Sequence, residues 1–282
     1  MNIPPFEAEV IDASRVTRGR LFDDRIEEDP WVLFHGTSAS NSLSIENVGF
    51  QYTQGSVTQS DIDRINTVFE AMRWDGSDSE GYPLLKGFSV SDFHDSTASS
   101  TFFTECSTRA LRYARRIRAG GEKLYGIRNA IADLQSYLTE VAVRDHHAMA
   151  MADTLDFLVR SNASQKEIEL NSPPTVDLEW LAEQIHALDD LRRLAALAFD
   201  GYCGGVVYAV RLKVVDLEGM TYSAMGIKSR RLIPADRIVA KVNVPLTYEP
   251  TFPAKQDHQL LQMKMNSGLI KALYRQAIET ES

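Results

Sequence analysis

Apolar residues occur along this chain in two patterns. Short unbroken runs, Trp31-Val32-Leu33-Phe34 and Val206-Val207-Tyr208-Ala209-Val210, read as buried strands. Thr101-Phe102-Phe103-Thr104 reads as another short strand, and a strand pair is expected near Arg231–Ile233 and Ile238–Val244. Elsewhere apolar positions recur every three or four residues, the helical period. Ile62, Ile65, Phe69 and Met72 predict a helix near 61–73. Ala110, Leu111, Ala114 and Ile117 predict one capped by Ser107 and ended by Gly120-Gly121. Further helices are expected over 123–142, from Pro173-Pro174 to Phe199, and over about 256–279. Ser44 to Phe50 reads as a short helix stopped by Gly49.

The order is strands, then a helical block, then strands. It lacks the regular alternation of a doubly wound sheet, so one α+β domain spanning 1–282 is expected, with a helical insertion at about 120–200. Residues 1–30 form an acidic extension, with a short helix ahead of Pro30. Residues 51–100 hold a long polar loop, and such loops often cover a site.

Composition narrows the partners. The chain has 282 residues and a formal net charge of −9, which argues against a general affinity for nucleic acid. The arginines at 109, 112, 115, 116 and 118 read as a solvated helix face. No run of about 18 apolar residues is present to span a membrane, and the N-terminus does not read as a secretory leader. Two cysteines, Cys106 and Cys203, cannot build a disulfide framework or a cysteine zinc site. Neighbouring helical residues diverge by about 100°, so Asp145-His146-His147 gives no metal expectation. A cytoplasmic setting is expected.

The candidate chemistry begins at His35-Gly36-Thr37, where an apolar strand ends in a histidine and a residue without Cβ that allows close approach to the backbone. This stretch, with the helix and Gly49 after it, resembles the first motif of ADP-ribosyltransferases of the diphtheria-toxin and poly(ADP-ribose) polymerase class. Phe102-Phe103-Thr104, followed by Tyr113 eleven residues after Phe102, resembles the second motif. Gly205 to Leu212 resembles the core strand that follows the family's helical region.

The resemblance implies a split antiparallel or mixed β-sheet core with an inserted helical block, and NAD as donor without a metal. It implies that Phe102 and Tyr113 sandwich the nicotinamide; alternation along the strand puts Phe103 in the core. Gly36 would offer its backbone to the carboxamide, and His35 would bond an adenosine-ribose hydroxyl. Thr37 and Ala110 would complete the binding set, with Ala110 where a relative has a serine. His35, Tyr113 and Ser229 form the expected catalytic set. The family's third motif, an acidic residue, falls at Lys228, Ser229 or Arg230, none of them acidic. The expected activity is therefore transfer of a single ADP-ribose to a protein, nucleic acid or small molecule, as toxins and effectors perform it. The alternatives are a non-catalytic NAD- or nucleotide-binding module, and an enzyme like the tRNA 2′-phosphotransferases.

Overall fold

The computed structural model describes residues 8–10, 20–51, 57–72, 100–172, 175–223 and 226–248. The expected helix at 256–279 and most of the polar loop lie outside the described residues. The chain divides into two compact units. One comprises Met1–Gln54, Thr97–Gly121 and Ala198–Ser282; the other comprises Gly55–Ser96 and Glu122–Leu197. The α+β expectation holds, and the strands form small, mainly antiparallel sheets.

The first unit carries the strands. β1 (Ala8–Val10), β2 (Val32–Ser38), β5 (Gly205–Arg211) and β9 (Ile238–Val244) form one sheet in the order β1-β9-β5-β2, with only β1 and β9 parallel. β3 (Gly49–Phe50) pairs with β8 (Ile233–Pro234). β4 (Thr101–Phe103), β7 (Gly226–Ser229) and β6 (Met220–Ser223) form a third sheet in that order. Among the described residues the unit's α-helices are α1 (Asp24–Glu27), α2 (Ser42–Val48) and α4 (Ser107–Tyr113).

Strand alternation divides the core into two layers. Val32 and Phe34 of β2, with Val207 and Ala209 of β5, pack against Ala110, Leu111 and Ala114 of α4. Leu33, Val206, Tyr208 and Val210 face the other way, onto Ile45, Phe50 and Phe103. Burying side chains such as Phe34, Leu33 and Phe103 contributes about 1.5–3 kcal/mol each. Gly49 ends α2 at φ 116°, a conformation few other residues adopt.

Ser107 is the first residue of α4, and the cap is Cys106. Its hydroxyl instead donates to Glu27 Oε1, which also accepts the Leu21 and Phe22 amides. This buried carboxylate ties the chain before β2 to the start of α4. The helix stops at Tyr113, well before Gly120-Gly121, and Tyr202 donates its hydroxyl to the Ala114 carbonyl at 2.6 Å.

Among the described residues the second unit is helical: α3 (Gln59–Met72), α5 (Gly121–Thr139), α6 (Val141–Arg160), α7 (Gln165–Asn171), α8 (Leu178–Ala187) and most of α9 (Asp189–Asp200). Two expected helices are interrupted. Glu140 is extended between α5 and α6, and Arg144 donates back to the Tyr137 and Leu138 carbonyls, satisfying groups at the end of α5. Leu188 separates α8 from α9, whose first turn carries Asp189 and Asp190, the charge a helix start favours. The second unit thus takes in Glu122–Leu197 together with Gly55–Ser96.

Candidate functional site

The site centres on a seam between β2 and β4. Phe34 and Thr104 pair across it, each amide donating to the other's carbonyl at 2.8 Å. In an antiparallel ladder the next such pair falls two residues along each strand, here Gly36 opposite Phe102. That pair does not form. The Phe102 carbonyl instead accepts from His35 Nδ1 at 2.8 Å. The imidazole takes the partner that Gly36 N–H would have had, and the two sheets part at this point. Gly36 N–H and C=O face the same side as those of Phe34, and no hydrogen bond to them occurs among the described residues.

The ring's protonation follows from its surroundings. A carbonyl only accepts, so Nδ1 carries the proton. Burial lowers the His35 pKa below the usual 6.5, although the bond to Phe102 pulls the other way. The imidazole is therefore neutral at pH 7, and Nε2 is an acceptor without a partner among the described residues. Phe50 lies edge-on at 5.1 Å between ring centroids and Phe103 lies at 5.7 Å, which fixes the ring plane. His35 sits in the middle of β2 rather than at its end.

Gly36 also explains why no side chain is tolerated behind the seam. A Cβ there would lie 1.7 Å from the Ala110 carbonyl oxygen, and one on Gly205 would lie 1.8 Å from that of Ala114. The close approach is thus made by α4, which crosses β2 and β5 backbone to backbone. Ala110 is fully buried in that crossing, and Tyr113 directly precedes Ala114, whose nitrogen also lies against Gly36. Tyr113 is half-buried, with the Arg118 guanidinium 5.9 Å from its ring centroid. Thr37 accepts from Asn41 Nδ2 at 2.8 Å and so anchors the turn into α2.

β4 and β7 fix the remaining positions. Phe103 faces the core with Ile227, so Phe102 points the other way and is half-exposed. Lys228 is directly opposite Phe102 and shares its face. Ser229 pairs with Thr101 on the core-facing side, is 1% exposed, and its hydroxyl donates to the Arg231 carbonyl at 2.9 Å. Of Lys228 and Ser229, only Lys228 lies on the face of Phe102, while Ser229 is engaged locally.

One residue escaped notice in the sequence. Glu105 follows the paired Thr104, is 1% exposed, and neither carboxylate oxygen has a hydrogen-bond partner among the described residues. Buried polar groups are nearly always satisfied, so an orphan carboxylate at the end of the seam is unusual. An acidic residue directly after Phe-Phe-Thr was the only available sign. No family model, curated protein or solved structure matches this chain.

Proposed function

We propose that the chain binds NAD in the seam between β2 and β4 and transfers a single ADP-ribose from it. The observation that carries this reading is the ladder opened by His35. Gly36 presents an amide donor and a carbonyl acceptor side by side, the complement of a carboxamide, which has one of each. The neutral His35 Nε2 accepts, as a ribose hydroxyl requires. Phe102 and Tyr113 supply rings for a flat, positively charged nicotinamide, whose stacking and cation–π attraction each contribute about 1 kcal/mol. Held this way, the glycosidic bond breaks towards nicotinamide, which leaves neutral with the bonding pair, and the acceptor's lone pair forms the new bond at the ribose carbon. Positioning is the main contribution of these residues.

A second reading, NAD or nucleotide binding without turnover, is favoured by Lys228. A cation beside Phe102 opposes the positive charge that develops on the ribose. The two readings part in one experiment: purified protein, labelled NAD and cell lysate, scored for nicotinamide release and label transfer. Release with transfer supports the enzyme. Saturable binding without release leaves only the module, and no binding sinks both.

A further inference from the structure

An open cleft of about 630 Å³ lies between α2 and the ends of β5 and β9. That volume is within the usual range for small-molecule sites. Its charged groups are Glu46 on α2 and Lys241 on β9. Lys241 Nζ donates to Glu46 Oε1 at 2.8 Å, and the Tyr208 hydroxyl donates to the same oxygen at 3.0 Å. Burial holds the Tyr208 phenol protonated, above its usual range. Two donors thus converge on one oxygen, and Oε2 has no hydrogen bond among the described residues. An ammonium has three donors, and that of Lys241 uses one among the described residues. The pair is well enclosed, at 16% and 31% side-chain exposure, so water screens it less than a surface pair. The rest of the lining includes apolar Leu43, which is 75% exposed, together with Val206, Val244 and Pro245.

We propose that this cleft binds a free α-amino acid with an apolar side chain, its ammonium donating to Glu46 Oε2 and its carboxylate accepting from Lys241. The existing pair is what selects a zwitterion. A lone anion attracted to Lys241 meets the carboxylate of Glu46, and a lone cation meets Lys241. A molecule with both charges on one carbon satisfies the two spare positions, which are themselves adjacent, and leaves the site neutral. Leu43 and the strand-end apolar residues then receive the side chain.

The test is calorimetric titration of the full chain with L-leucine. Saturable binding is expected, weakened about tenfold or more in both Lys241→Met and Glu46→Gln, where tenfold corresponds to about 1.4 kcal/mol. Glu46→Gln keeps an acceptor for Tyr208 and Lys241, so it remains folded if Lys241→Met does not; circular dichroism checks both. Absence of saturable heat at millimolar leucine overturns the proposal. So does unchanged affinity in folded Glu46→Gln, equal binding of acetate or methylammonium alone, or binding of adenosine in place of leucine.

Discussion

The two edges of β2 behave in opposite ways. Towards β5 every residue of the strand is paired, from Val32 with Arg211 to Ser38 with Gly205. Towards β4 only Phe34 is bridged, and the ladder then opens at His35. The same seven residues therefore serve as a closed core strand and as an exposed backbone edge. Edges of this kind are usually covered or paired, and here a side chain from the strand itself keeps the gap open. Structural rigidity comes from the closed edge, and the proposed recognition is left to the open one.

The largest expected effect attacks the support common to both edges. Gly36→Ala places a methyl group against backbone atoms of Ala110, at 1.7 Å from the oxygen and 2.6 Å from the carbon, with no flexible side chain to yield. Destabilisation of about 3 kcal/mol or more is expected, read by urea unfolding. A Gly36→Ala protein as stable as the parent would mean that α4 does not lie on β2.

His35→Gln tests the open edge. Losing the ring's acceptor should weaken NAD about tenfold, the equivalent of one hydrogen bond of about 1.4 kcal/mol. The same substitution has a pH signature. In the unfolded chain the histidine titrates near 6.5, whereas burial lowers it in the folded protein. The unfolded state then binds the proton more readily, so stability is full above pH 6.5 and falls as pH drops towards the folded value. Unfolding midpoints measured from about pH 8 to about pH 5 should show a shallower decline in His35→Gln. Unchanged NAD affinity in a folded variant would mean the pocket is elsewhere.

The smallest effect concerns Glu105, which follows the paired Thr104 on the side away from the opening. Replacing an unpartnered buried carboxylate with a similar-sized apolar group, Glu105→Met, should raise stability by about 1 kcal/mol. If stability rises while NAD binding is lost, the carboxylate serves the seam rather than the fold.

Much of this arrangement was legible in the chain. The apolar runs located β2 and β5, and the alternation Phe102-Phe103 correctly separated a core ring from a half-exposed one. The helical periodicity found α3 and α4 because each buries one face against a neighbour. It failed at Glu140 and Leu188, where side-chain and backbone capping break helices whose apolar spacing continues. The hairpin of β6 and β7 was invisible because Met220 to Ser229 alternates weakly and its pairing partner, β4, is more than a hundred residues away. Gly36 was read as room for a ligand, yet its missing Cβ first of all admits α4. That distinction depends on a long-range crossing, which no local pattern records. The Glu46–Lys241 pair, almost two hundred residues apart, was hidden for the same reason.

The two cysteines give the molecule a built-in chemical address. Neither forms a disulfide, but Cys106 is buried at the start of α4, while Cys203 is exposed on the lining of the α2 cleft. A maleimide or a fluorinated alkylating reagent should therefore mark the native protein at a single position without any engineered thiol. The attached probe would report, by fluorescence or by ¹⁹F resonance, on whatever enters that cleft, and its rate of attachment would fall when the cleft is filled.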